Sequence, residues 1–368
     1  MFSLKSVDSS SDARNGILST AHFEVETPFF MPVATKGAVK YVSNGELYGM
    51  GTQCMISNAF LFSMRPGLNV VKKARGIHRF INWNRGLFTD SGGFQVLDDG
   101  FLVRITEKGV LFNNPFDQRN ELLSPEEAIR IQNDLGSDVA MCLDDVPKFG
   151  HSKEYFARSL KRTLEWAARC KKAHANEKQL LFGITQGGTF KDLRVHAAQT
   201  LSALDVDGIA LGGLCIGESK KAMHAMVESS KKHIPEEKPV YLMGVGSPED
   251  ILEAVSLGVD CFDSAFPTRI ARHGSVFTAR GRIDLGKALY AKDLSPLDSA
   301  CTCFVCKDFS RSFLSHLFKT KEETGLRYLS YHNLFFLQHF MANLRTALRE
   351  GEFARFKKGF LKAYTFKA

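Results

Sequence analysis

Three aspartates in this sequence stand at the ends of short apolar runs, where they could take part in chemistry. They are Asp90, Asp144 and Asp263. One such aspartate is usually a turn or cap residue. Three are more informative, because catalytic groups of barrel enzymes lie at the carboxyl ends of the strands. Two carboxylates at the anomeric carbon of a sugar can run a double displacement, in which one forms a covalent glycosyl-enzyme and the other moves protons.

Polar and glycine residues close other apolar runs in the same way. Gln186 ends one run and the pair Gly212-Gly213 ends another, while Gly92-Gly93 follows Asp90 and precedes the aromatic Phe94. Paired glycines allow a ligand to approach the backbone closely, and an aromatic ring can stack on a planar base. Together with the acids, these residues predict a site for a polar, planar ligand with donors and acceptors on its edge.

A basic segment follows Asp263. It contains Arg269, Arg272 and His273, and the arginines could hold the phosphates that flank a nucleotide. A solvated basic loop is the alternative. The 48 Lys and Arg residues against 40 Asp and Glu give a net charge of +8, which suits a polyanionic partner without establishing one.

Three of the eight cysteines are crowded together, at Cys301, Cys303 and Cys306. In a reducing compartment this spacing indicates a metal site, because cysteines two and three residues apart rarely form unstrained disulfides. With His332 the cluster would close a tetrahedral shell around a structural Zn²⁺. His316 and His339 are nearby alternatives for the histidine ligand.

The elements that must position these residues follow a regular alternation. Eight runs rich in β-branched, aromatic or apolar residues are separated by segments long enough for a helix, and most end in polar or glycine residues. This pattern predicts an α/β fold, a (β/α)8 TIM barrel, with an open doubly wound sheet as the alternative. The runs cover 29–35, 54–58, 87–90, 139–144, 180–186, 208–213, 240–246 and 261–267.

Helical patterns fill several of the intervals. Residues 124–135, which open with Ser124-Pro125-Glu126-Glu127, and residues 152–175 predict barrel helices. We expect a catalytic barrel over 1–283 and a zinc-binding subdomain over 284–350, which includes a long helix at 328–349. A helical tail over 351–368 would complete one or the other.

The amino-terminal segment 1–14 is polar and has no apolar core typical of a secretory signal, and no run is long enough to span a bilayer. We therefore expect a cytoplasmic location.

Six motifs, in order, resemble those of the tRNA-guanine transglycosylase family, and the resemblance runs from residue 28 to 349. They are Thr89-Asp90-Ser91-Gly92-Gly93-Phe94-Gln95, Gln186-Gly187-Gly188, Gly212-Gly213-Leu214, Tyr241-Leu242-Met243-Gly244-Val245-Gly246, Phe262-Asp263 with Pro267-Thr268-Arg269, and the cysteine cluster with His332. The resemblance implies exchange of guanine at the tRNA wobble position for queuine or its 7-deazaguanine precursor.

The same resemblance implies roles for individual residues. Asp263 would be the nucleophile and Asp90 the general acid/base. The base would be bound by Ser91, Gly92, Gly93, Phe94, Asp144, Gln186, Gly213, Leu214, Met243 and Gly244. The tRNA would be contacted by Gly246, Ser247, Asp250, Thr268, Arg269 and Arg272. It also implies one structural Zn²⁺ per chain and a homodimer that binds one tRNA.

Two other functions are compatible with parts of the pattern. A catalytically silent tRNA-binding subunit would keep the fold and the metal site, but the presence of all three aspartates argues against it. A barrel glycosidase acting on free nucleosides or sugars would not need the cysteine cluster or the basic segment. The sequence leaves the inserted base open, because Val146 favours queuine whereas Ile216 could block its larger substituent.

Overall fold

The computed structural model describes residues 1–92, 101–114, 116 and 119–364. In the described part of the chain, eight parallel strands form one sheet, in which each strand from the second onward pairs with the next one along the chain and the last pairs with the first. A parallel bridge between Val33 and Ile56 joins the two remaining edges, so the sheet closes. The predicted barrel is confirmed, and the open sheet is wrong. The strands are Phe29–Pro32, Cys54–Asn58, Gly86–Asp90, Val139–Met141, Leu180–Thr185, Gly208–Leu211, Val240–Leu242 and Cys261–Ser264.

Large apolar side chains fill the barrel interior. Phe88 packs edge-on against both Phe182 and Tyr241, with ring centroids 5.4 and 5.8 Å apart. All three rings are fully buried, so the barrel is a packed core rather than a channel. Only the carboxyl ends of the strands are left to form a site.

Helices surround the barrel, and serine side chains begin several of them. Ser124 accepts a hydrogen bond from the Glu127 amide and Ser152 accepts one from the Tyr155 amide, which confirms both predicted helix starts. The α-helices are Asn44–Gly49, Ala59–Phe62, Leu68–Lys73, Ile77–Ile81, Pro125–Leu135, Lys153–Ala173, Lys191–Ala203, Lys220–Lys231, Pro248–Ser256, Phe266–Arg272, Phe304–Asp308, Arg311–Lys319, Glu323–Arg349 and Phe353–Ala363. A π-helical turn covers Ser63–Gly67 and a 3-10 turn covers Ala288–Lys292.

Three small antiparallel sheets accompany the barrel. One covers its amino-terminal end, where His22 and His78 stack at 3.7 Å beside the buried Asp138. The other two follow the third and the last barrel strands along the chain. Their strands are Phe2–Val7, Arg14–Ser19 and Glu24–Thr27; Leu102–Thr106, Gly109–Asn113 and Asn120–Leu123; and Ser275–Thr278 with Gly281–Asp284.

The helix Glu323–Arg349 connects the barrel to the carboxyl-terminal region, and it begins five residues before the predicted start at Tyr328. Its side chains from Leu334 to Leu348 join the apolar layer around the barrel. Gln338 and Arg345 donate hydrogen bonds to the carbonyls of Phe30 and Pro28, at 3.1 and 2.8 Å. Among the described residues, no helix is long and apolar enough to cross a membrane.

Candidate active site

The carboxyl ends of the strands bring the predicted acids to one mouth of the barrel. Asp90 is the last residue of its strand and lies in register with Asn58, and Asp263 lies in the last strand. Asp144 follows the short strand Val139–Met141. Burial is the main cause that raises the pKa of both Asp144 and Tyr241, and the charge of Asp90 raises both further, as expected for groups that share one site.

Asp263 is held by two donors. The Tyr241 hydroxyl donates a hydrogen bond to its Oδ1 at 2.6 Å, and the Gly244 amide donates to the same oxygen at 2.9 Å. Burial raises the pKa of Asp263, and the two hydrogen bonds lower it. Both donors favour the carboxylate form, and they fix its orientation.

Asp144 and Gln186 form a buried pair. Gln186 Nε2 donates to Asp144 Oδ2 at 2.6 Å. Burial raises the pKa of Asp144 to about 7, as do the charges of Asp90 and Asp145, whereas the Gln186 hydrogen bond lowers it. The Oε1 atom of Gln186 has no hydrogen-bond partner among the described residues. A buried acceptor of this kind, beside a carboxylate, suits the edge of a ligand that carries several donors and acceptors.

The glycine pair lies directly against Gln186. Gly213 has φ +62°, and a Cβ there would stand 2.1 Å from Gln186 Oε1. A Cβ on Gly212 would stand 2.8 Å from Gln186 Nε2. No side chain fits at either position unless Gln186 moves. The strand end that carries Gln186 and the one that carries the glycine pair therefore pack closely against each other.

The two neighbouring aspartates have different environments. Arg162 Nε donates to Asp145 Oδ2 at 2.9 Å, and the Asp145 amide donates to Thr163 Oγ1 at 3.0 Å. Asp145 is therefore an ion-paired structural residue. Asp144 pairs with an uncharged amide instead and keeps a carboxylate that can meet a ligand.

The remaining predicted base-binding residues occupy the same region. Leu214 is buried and Met243 half-buried. Ser91 and Gly92 are also buried, and a Cβ on Gly92 would stand 2.2 Å from Phe60 Cβ. Gly93 and Phe94 lie outside the described residues.

The predicted tRNA-contacting residues fall on two helix starts. Ser247 precedes the helix Pro248–Ser256 and donates to Asp250, which also pairs with Lys220 at 2.8 Å. The Thr268 hydroxyl donates to the Ala265 carbonyl at 3.2 Å within the helix Phe266–Arg272.

Arg269 and Arg272 belong to that second helix. Arg269 is exposed and Arg272 half-buried. Gly246 is buried, and a Cβ there would stand 2.6 Å from Ser264 Cβ. The exposed arginine is therefore available to a large partner, whereas Ser247, Asp250 and Thr268 have partners within the chain.

The predicted metal ligands converge. The Sγ atoms of Cys301, Cys303 and Cys306 lie 3.8, 3.5 and 3.3 Å from His332 Nδ1. Tetrahedral Zn²⁺ with ordinary bond lengths separates sulfur and nitrogen ligands by about 3.6 Å. The four ligand atoms lie within 4.8 Å of one another, so the cluster could hold a metal ion.

The second nitrogen of His332 supports the same conclusion. Nε2 lies 2.8 Å from the Phe277 carbonyl, which can only accept a hydrogen bond. Nε2 must carry the proton, and the lone pair of Nδ1 faces the three sulfurs, as a metal ligand requires.

Sequence reasoning did not single out three polar side chains of the site region. Tyr241 donates to Asp263, Arg162 neutralises Asp145, and Glu218 accepts from the amides of Cys215 and Ile216. Tyr241 stood within a recognised motif, which was a usable signal. Arg162 lies in the middle of a helix, and its partner cannot be read from local sequence.

Comparison with known proteins places this geometry in a family. The sequence model described as queuine tRNA-ribosyltransferase matches residues 8–366. A queuine tRNA-ribosyltransferase of Caldanaerobacter subterraneus is 47% identical over 358 residues, covering 97% of this chain and 96% of its own. Those of Thermoanaerobacter pseudethanolicus and Halothermothrix orenii are each 46% identical, covering 98% and 97% of this chain and 96% and 95% of their own. The chain therefore belongs to the queuine tRNA-ribosyltransferase family.

Proposed function

We propose that this protein is a tRNA-guanine transglycosylase, which exchanges guanine at the anticodon wobble position for queuine or its 7-deazaguanine precursor. The observation that carries the proposal is that two groups of residues lie at the same mouth of the barrel. Asp263, held by Tyr241 and Gly244, supplies a nucleophile, and Asp144 with Gln186 supplies a surface for a base edge.

In the first step, an Asp263 oxygen attacks C1′ of the target ribose and the bond from C1′ to N9 of guanine breaks. Protonated Asp90 gives its proton to the departing base, so guanine leaves neutral. The product is a covalent ester between the enzyme and the tRNA.

In the second step, the Asp90 carboxylate takes the N9 proton of the incoming deazaguanine. N9 attacks C1′, and the bond from C1′ to Asp263 breaks. Both carboxylates return to their initial protonation states, so the exchange needs no other reactant.

Asp144 reads the base through two donors. Its carboxylate accepts hydrogen bonds from N1 and from the exocyclic amine of guanine, while Gln186 Nε2, through its second hydrogen, and the backbone amide of Gly213 donate to the 6-oxo group. Leu214 lines the pocket, and Met243 and Phe94 contact the ring faces. A base that lacks these donors leaves the Asp144 carboxylate unpaired, which penalises its binding.

The target nucleotide must leave the anticodon stack to reach this mouth. Arg269 and Arg272, in the helix that follows Asp263, bind the flanking phosphates, with Gly246, Ser247, Asp250 and Thr268 around them. The chain acts as a homodimer on one tRNA, in the cytoplasm.

Zn²⁺ is the metal that suits Cys301, Cys303, Cys306 and His332, because three thiolates and one imidazole complete its shell. A closed shell would leave no position for a substrate, so a bound ion would support the fold and take no part in base exchange.

The test is incorporation of labelled guanine into an unmodified tRNA by the purified chain. The matched substrate control is the same tRNA with adenine at the wobble position, which should remain unlabelled. A hydrolase of free nucleosides would ignore both tRNAs, and a silent binding subunit would bind without exchange.

The nucleophile is tested with Asp263→Ala, which should abolish exchange and leave tRNA binding intact. Asp192→Ala, which removes an exposed aspartate that pairs with Lys153, is the control variant. Wild type should form a protein–RNA adduct that survives denaturation. An adduct formed by Asp263→Ala would assign the nucleophile elsewhere.

A further inference from the structure

Arg194 is a fully buried arginine whose hydrogen-bond acceptors, within the described part of the chain, are all backbone carbonyls. It lies near the start of the helix Lys191–Ala203. Its Nε donates to the Gly188 carbonyl at 2.8 Å. Nη1 donates to Gly212 at 2.7 Å and more weakly to Thr185 at 3.4 Å, and Nη2 donates to Gly213 at 3.2 Å.

These four carbonyls lie at the end of one barrel strand, which closes with Thr185, and in the loops that follow this strand and its neighbour. Thr185 and Gly188 stand on either side of Gln186, and Gly212 and Gly213 are the glycine pair against which Gln186 packs. One guanidinium therefore ties together the strand end that carries Gln186 and the loop that carries the Gly213 and Leu214 amides. Its planar fork of donors can satisfy several carbonyls in fixed directions, which a lysine ammonium cannot do.

The same hydrogen bonds set the direction of two peptide groups. In a trans peptide the carbonyl and the following amide point in opposite directions. Because the carbonyls of Gly212 and Gly213 point to Arg194, the amide N–H groups of Gly213 and Leu214 point away from it.

A buried cation needs compensation, and here carbonyl dipoles provide it in place of an ion pair. Burial lowers the pKa of Arg194 to about 9, and the charge of Glu218 opposes that shift. The side chain remains a cation at neutral pH. An apolar residue could fill the space without this desolvation cost, so packing alone does not explain an arginine here.

We propose that Arg194 is a positioning residue for base recognition, which orients the Gly213 and Leu214 amides and the Gln186 loop toward the 6-oxo edge of the base. The inference rests on the proposed function, and it adds a residue that touches neither base nor tRNA. A purely structural brace would change stability alone, whereas a positioning residue changes the affinity for the base.

The experiment compares Arg194→Lys with wild type in labelled-guanine exchange and in calorimetry with free guanine. We expect the KM for guanine and its Kd to rise about tenfold or more, since small misplacements of reading groups are costly, while the KM for tRNA stays within about twofold. The control is Arg345→Lys, which removes another buried arginine bonded to a carbonyl, that of Pro28, at the opposite end of the barrel. It should lower the melting temperature and leave the KM for guanine unchanged.

Several outcomes would overturn the proposal. These are an unchanged guanine KM in Arg194→Lys, an equal rise in Arg345→Lys, or a parallel rise in the KM for tRNA. If the lysine variant does not fold, Arg194→Gln supplies the same test, because its shorter amide has two N–H donors and cannot reproduce the four contacts of the guanidinium, so the KM for guanine should rise as well. A wild type that binds guanine without exchanging it would refute the proposed function alone, and calorimetry would still test Arg194. A wild type that binds no guanine would overturn both.

Discussion

The Tyr241 hydroxyl and the Asp263 carboxylate are joined by a hydrogen bond of 2.6 Å between neighbouring barrel strands. Tyr241 is fully buried, so its ring belongs to the barrel core while its oxygen reaches the mouth. The packed interior thereby fixes the position of the proposed nucleophile.

Tyr241→Phe should slow exchange without disturbing the core, because only the hydroxyl is lost. Burial raises the pKa of Asp263 and this hydrogen bond lowers it, so the variant should have a still higher pKa at Asp263. The acid limb of the kcat profile should move to higher pH, and kcat at neutral pH should fall about tenfold or more. Tyr48→Phe, which removes a hydroxyl remote from the mouth, is the control. An unshifted profile would contradict the role of Tyr241.

Asp144→Asn should stabilise the protein while abolishing base binding. The pKa of Asp144 rises from its ordinary value of 3.8 to about 7, chiefly through burial. The unfolded chain therefore releases this proton at lower pH than the folded one, and wild-type stability is lost as pH rises between these values. At pH 8, ionisation of Asp144 lowers the free energy of unfolding of the wild type by roughly 4 kcal/mol.

Thermal unfolding at several pH values checks this. Below about pH 4, the melting temperatures of the wild type and of Asp144→Asn should differ by a constant amount. Between about pH 4 and pH 7, the melting temperature of the variant should rise progressively relative to that of the wild type. A difference in melting temperature that does not vary with pH would show that the charge of Asp144 does not destabilise the folded protein.

Wild type should contain one Zn²⁺ per chain, and Cys303→Ala should lose it. Removal of a ligand from a four-ligand site should lower the melting temperature, since structural Zn²⁺ contributes directly to folding. Cys170→Ala, which removes an equally buried cysteine outside the cluster, should keep the metal. Elemental analysis decides the point, and a wild type without zinc would mean that another ion or none occupies the cluster.

Ile216→Gly should shift the preference among deazaguanines towards queuine. Ile216 and Val146 both line a cavity of about 610 Å³ beside Asp145. Removing the branched side chain makes room for a larger substituent at the 7-position. Queuine and the aminomethyl precursor are offered with the same tRNA, and the ratio of their kcat/KM values is measured, with Ile216→Val as the milder variant. An unchanged ratio would place the substituent outside this cavity.

The barrel could be predicted from the sequence because each strand carries a local signal, an apolar run that ends in a polar or glycine residue. The acids and the cysteine cluster could be predicted for the same reason. Short antiparallel strands such as Phe2–Val7 were missed, since most of their residues are exposed and their pairing partners lie elsewhere in the chain. Arg194 was missed because its four carbonyl partners come from loops that only the closed barrel brings together.

The helix Glu323–Arg349 takes part in both the cysteine cluster and the packing of the barrel, so neither is complete without it. It supplies His332 to the cysteine cluster, and the next residue, Asn333, donates to the Pro267 carbonyl at 2.9 Å in the helix that follows Asp263. The whole helix is about 40 Å long, and its remaining residues cover one side of the barrel. A chain truncated before this helix would lose the histidine ligand and expose a broad apolar surface at once. Metal starvation in a cell should therefore remove the whole enzyme through misfolding and proteolysis, without leaving an active barrel behind.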